Sequence, residues 1–183
     1  MIRRTTLSGL LIAMMLILGY VESLLPITFL GVPGIKIGLS NSILIFAVYM
    51  LDLPTAWLLM VLKVGLSGLL FGNLSITIFY ALAGGVLSML TMSILSRIKG
   101  VHPVTVSMLG GVMHNLGQVL MAMILFHTTQ LLFFMAVLML TGLAFGAATG
   151  TCATLVMKHL RTTKYSGKSA LSNRKDTTST TKQ

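Results

Sequence analysis

GVPGIKIGLSN, running from Gly31 to Asn41, separates two long apolar runs and is unlike either. Pro33 fixes its own φ and biases Val32 towards an extended backbone. Gly31, Gly34 and Gly38 permit backbone angles that other residues resist. Lys36 adds a charge to a chain that has few, and Glu22, its only glutamate, closes the apolar run before it. The stretch reads as a turn at the outer face of a membrane protein, with polar residues facing it.

The composition supports that solvent. Of the 183 residues, 55% are hydrophobic and 9% charged, against about 25% charged in a soluble domain. The apolar segments consume most of the length, which leaves room for one membrane domain and none for a soluble catalytic one. The net charge of +10 would suggest nucleic acid in a soluble protein. Its placement argues otherwise. Seven of the 13 Lys and Arg lie from Lys158 onward, two are Arg3 and Arg4, and two are Arg97 and Lys99. That is the pattern of topology signals beside lipid, without a basic stripe interleaved with aromatics. The single cysteine, Cys152, permits no internal disulfide and reads as a small packed residue. Arg3 and Arg4 before an apolar run mimic a signal peptide. The run reaches Leu25 with no clear small-x-small cleavage site, so it is read as a first helix.

Periodicity and breaks predict an all-α bundle of six transmembrane helices. Their expected ranges are Thr5–Leu25, Lys36–Leu51, Thr55–Phe71, Leu74–Ser96, Val104–Phe126 and Gln130–His159. Residues 1–160 form the membrane domain, and residues 161–183 read as a basic, disordered cytoplasmic tail. Helices two and three are short for a hydrocarbon layer that needs about 20 residues per helix. Strands are excluded by long, unalternating runs. With the N-terminus inside, Arg3, Arg4, Arg97, Lys99 and the tail all sort to the cytoplasmic side of a bacterial membrane.

In the first helix, Gly9 and Ala13 form a small-xxx-small pair that lets a partner helix approach. At 100° per residue, Glu22 lies about 150° from that face. Glu22, Lys36 and Lys63 are intramembrane ionisable groups and hence functional candidates. Glu22 paired with one lysine could simply staple helices; a second lysine would remain to meet an anionic ligand. In the fifth helix, Ser107, Gly110, Gly111, His114, Asn115 and Gln118 share a face of about 140°. Such a polar stripe faces the bundle interior, as a site or as interhelical hydrogen bonding. Asn41, Asn73 and Tyr80 complete the outer polar set, although Asn73 suits a plain turn. The expected ligand site is Glu22, Lys36, Asn41, Lys63, Tyr80, His114, Asn115 and Gln118, under a lid turn carrying Pro26, Pro33 and Gly34. No metal or cofactor is expected, because His114 has no second His or carboxylate at helical spacing. The chain also lacks paired aspartates for magnesium diphosphate chemistry, a GxxxxGK[ST] loop and a GxSxG motif. It therefore reads as no enzyme.

The run ESLLPITFLGVPGIKIGLSN resembles the family labelled heptaprenyl diphosphate synthase component I, also called Gx transporter proteins. The matching positions are Glu22, Pro26, Pro33, Gly34, Ile35, Lys36, Gly38, Leu39 and Asn41; GGVMHNLGQ, with His114, Asn115 and Gln118, is also similar. The family in turn resembles the substrate-binding S components of energy-coupling-factor (ECF) transporters. That resemblance implies six helices, cytoplasmic termini and a ligand near the outer face. It also implies that Gly9 and Ala13 meet a transmembrane T component, with ATPase subunits beneath. Three functions follow: such a transport subunit for a small anionic or amphipathic molecule, a membrane accessory subunit of a prenyl diphosphate, quinone or flavin pathway, or a structural helix-packing partner.

Overall fold

The computed structural model describes residues 2–24, 39–70 and 76–180. Within them the chain forms α1 (Ile2–Leu24), a 3-10 turn (Leu39–Asn41), α2 (Ser42–Met50), α3 (Leu53–Leu70), α4 (Ile76–Leu95), α5 (Pro103–Phe126) and α6 (Leu132–Thr180). No strand occurs among the described residues. Helices are what lipid demands, since each backbone group must find its partner within its own segment. Five of them, α1, α3, α4, α5 and α6, are long and apolar enough to cross a membrane. The described part of α2 is nine residues; its expected start at Lys36 lies outside the described residues, as do Asn73 and the lid positions Pro26, Pro33 and Gly34.

Local chemistry sets the ends. Pro54 stands in the first turn of α3, where its missing N–H costs nothing. Asp52 precedes it and accepts from the Thr55 hydroxyl at 3.0 Å. Pro103 opens α5 behind His102, whose Nδ1 accepts from Val104 N at 3.3 Å. His127 closes α5 with φ 49°, in the left-handed region usually given to glycine. α6 runs on to Thr180, past His159, where the composition predicted an irregular tail. No proline interrupts residues 132–180, so nothing in the backbone forces a stop.

α2 is the centre. It packs on α1, α3, α4, α5 and α6, and Leu44, Ile45 and Ala47 are fully buried. The other helices bury one stripe and turn the rest outward. In α3 the buried stripe is Ala56, Leu59, Met60, Lys63, Val64 and Gly68, at helical spacing. Outward-facing residues such as Phe133, Leu140 and Leu69 are large and apolar, as a surface facing lipid requires.

Two kinds of packing hold the bundle. α4, α5 and α6 meet backbone to backbone. A Cβ added at Gly142 would lie 2.8 Å from Gly111 O, one at Gly146 2.7 Å from Met108 Cα, and one at Gly117 2.7 Å from Ala83 O. The Gly142–Gly146–Gly150 ridge is thus filled by α5 of the same chain. α1, α2 and α3 meet instead through side chains, in a core of Leu11, Met15, Leu44, Val48, Leu59 and Met60.

Candidate functional site

Asn41 stands at the N-cap of α2 and is buried. Asparagine there ordinarily caps the helix with its side chain. This one makes no cap bond. Its Oδ1 accepts from the Lys63 ammonium at 2.7 Å instead, inside the bundle. Lys63 is 8% exposed at the buried stripe of α3, and the first turn of α2 brings the positive end of a helix dipole to the same place.

Opposite, on α5, His114 and Gln118 are one turn apart and joined at 2.8 Å between Nε2 atoms. Both are buried. They lie against Gly84 of α4, where an added Cβ would come 2.8 Å from His114 Nδ1 and 2.9 Å from Gln118 Cγ. Only glycine lets the ring and the amide sit there. The bundle thus has a polar interior made of two buried hydrogen-bonded pairs, Lys63 with Asn41 and His114 with Gln118, carried by α2, α3 and α5.

The remaining expected positions are distributed around it. Glu22 is buried on the last turn of α1. One turn earlier, a Cβ at Gly19 would meet Ser40 at 3.8 Å, so Glu22 is at the end of α1 that abuts the 3-10 turn before Asn41. Asn115 points elsewhere: its Nδ2 donates to Leu138 O of α6 at 2.6 Å. Ser107 does likewise, its hydroxyl 3.3 Å from that of Thr149. The polar stripe of α5 thus divides its work, with Ser107 and Asn115 joining α6 and His114 and Gln118 lying against α4. Tyr80 is buried among Val119, Ala122, Leu131 and Leu138, with its ring 6.4 Å from that of Phe126. Lys36 lies outside the described residues. The Gly9–Ala13 face is exposed, and a Cβ at Gly9 would meet nothing within 4 Å.

Several buried polar atoms have no hydrogen-bond partner: Asn41 Nδ2, Tyr80 Oη, Ser88 Oγ and Asn115 Oδ1. Buried polar atoms are nearly always paired, so a set of them needs an explanation. Ser88 and Ser40 were not picked out from the sequence, yet both are buried. Ser88 had a usable signal. Tyr80, Gly84 and Ser88 recur every four residues in a mostly apolar helix, which marks one inward face. No group of three His, Cys, Asp or Glu able to hold a metal occurs among the described residues.

These features define a polytopic α-helical membrane protein with a buried polar centre. The chain belongs to the heptaprenyl diphosphate synthase component I family, whose profile matches residues 11–156. It is the family that ESLLPITFLGVPGIKIGLSN resembles. Comparison with curated proteins and with solved structures found no match.

Proposed function

We propose that this chain is a non-catalytic, substrate-binding membrane subunit of the S-component type, serving an ECF-like transporter. It takes up a small anionic or amphipathic molecule across a bacterial cytoplasmic membrane. The observation that carries the reading is the polar interior made by the buried pairs Lys63–Asn41 and His114–Gln118. Polar groups inside a membrane bundle are costly and are kept at binding and transport pathways. An ammonium beside a helix N-terminus suits a carboxylate or phosphate on the ligand. Asn41 Nδ2, without a partner, is a donor ready for the same anion.

A second feature supports coupling to a larger assembly. The Gly9–Ala13 face is open, whereas Glu22 is buried on another side of α1. A T component can dock on the first without disturbing the second, with ATPase subunits beneath and both termini cytoplasmic. Native mass spectrometry of the detergent-purified protein tests the reading. A retained small anionic molecule, lost in Lys63→Met, is the expected result. A chain that retains nothing and co-purifies with no T component would overturn it.

The family description favours one other reading, an accessory membrane subunit linked to heptaprenyl diphosphate, quinone or flavin pathways. Co-purification with a soluble prenyl diphosphate synthase, instead of a T component, would select it.

A further inference from the structure

The end of the bundle away from Asn41 and Glu22 carries a second charged feature. Arg97, Ile98 and Lys99 form the connection from α4 to α5, and all three are exposed. The connection is ordered by its own backbone. Arg97 N donates to Ile94 O at 3.2 Å, Ile98 N to Leu95 O at 3.1 Å and Val101 N to Ile98 O at 3.4 Å. Gly100 turns the chain with φ 93°, and the exposed His102 then caps α5. Neither Arg97 nor Lys99 has a side-chain partner among the described residues. α6 passes alongside, since Met157 belongs to the apolar cluster on which Leu95 and Val101 pack, and exposed Lys158 follows it. The one described acid at this end, Asp52, accepts from Thr55.

We infer that Arg97, Lys99 and His102 form a binding site for the phosphate of an anionic phospholipid headgroup. Charge complementarity is the first argument: two unpaired cations sit on a fixed turn, with the positive end of α5 behind them. The second argument chooses lipid over a soluble acidic partner. Ile98 is 51% exposed between the two cations, and Ile94, one turn before, is 63% exposed. Apolar side chains alternating with cations match the boundary between headgroups and acyl chains, where Ile98 meets hydrocarbon and its neighbours meet phosphate. An aqueous acidic peptide would leave both isoleucines in water.

The test uses the full chain in nanodiscs offering equal amounts of dioleoyl phosphatidylglycerol and dioleoyl phosphatidylcholine. Retained lipid is counted by native mass spectrometry. The expected result is preferential retention of phosphatidylglycerol, falling about five-fold for each cation removed in Arg97→Gln and Lys99→Gln. Both residues are exposed and side-chain unpaired, so the melting temperature should not move. A control, Lys164→Gln with Lys168→Gln, removes the same charge from the tail and should leave the preference nearly intact. An unchanged preference in the Arg97/Lys99 variant would overturn the proposal. So would an equal loss in the tail variant, which would indicate diffuse attraction. If a polyglutamate peptide binds and the Arg97/Lys99 variant loses only that binding, the surface belongs to an acidic protein partner and the lipid site is wrong.

Discussion

The Lys63 ammonium donates to the side-chain carbonyl of Asn41 across 2.7 Å, in the interior of the bundle. This bond joins α3 to the start of α2 and takes the N-cap side chain away from its helix. Removing either partner has a different consequence. Asn41→Ala leaves a buried ammonium with one acceptor fewer and should lower stability by about 1–3 kcal/mol. Lys63→Met keeps similar volume and removes the buried charge, but it leaves Asn41 Oδ1 without its donor, so it should cost less, about 1 kcal/mol. It should nevertheless weaken an anionic ligand by about 1.5–3 kcal/mol. Thermal melting in detergent, with ligand retention measured in parallel, separates the two. Equal melting losses would show that the lysine is only a structural staple.

The same substitution should act with opposite signs at two glycines. Gly9→Ala meets nothing within 4 Å and should raise stability by about 0.5–1 kcal/mol through helix propensity. Gly142→Ala would press on Gly111 O and on Asn115 Nδ2 at 2.9 Å, costing about 1–3 kcal/mol. Denaturation in mixed micelles reads both. A neutral Gly142→Ala would show that α5 and α6 do not approach as closely as described.

Docking of a T component at α1 should be blocked by Gly9→Leu with Ala13→Leu. Both positions are exposed, so the variant should fold and keep its melting temperature. Pull-down of the T component is the readout, and undiminished recovery would count against the transporter reading.

His127 holds φ 49°, which glycine adopts without strain. His127→Gly should therefore stabilise the turn by up to about 1 kcal/mol, and His127→Val should destabilise it. Melting curves of the two variants would have to bracket the parent; the reverse order would place the turn differently.

Sidedness can be read by cysteine labelling once Cys152, which is exposed, is replaced by serine. Asn73→Cys and Thr162→Cys should react from opposite sides of the membrane. Labelling from one side would refute the orientation proposed for the termini.

Much of this was legible in the residues. Long apolar runs broken at Asp52–Pro54 and at Arg97–Pro103 locate helix ends, because proline and the need for caps act locally. The inward polar stripe of α5 was equally plain, since its 100° register needs no tertiary knowledge. What the register could not give was partners. Asn115 and His114 are adjacent on the stripe, yet one binds α6 and the other faces Gly84; that choice depends on which helix lies on which side. Likewise the Gly142–Gly146–Gly150 ridge and the Gly9–Ala13 pair look alike in sequence. Only packing shows that one is filled within the chain and the other is open.

The two kinds of helix packing give the molecule uneven mechanical compliance. α4, α5 and α6 are locked by backbone contacts at glycines and form a stiff slab. α1, α2 and α3 rest on one another through Met and Leu side chains that can change rotamer. The two hydrogen-bonded pairs are divided between them, with Lys63 and Asn41 on the side-chain-packed helices and His114 and Gln118 on α5. Each hydrogen-bonded pair stays within its own half. Rotamer changes around the Lys63–Asn41 pair can therefore proceed while the His114–Gln118 pair keeps its place on α5.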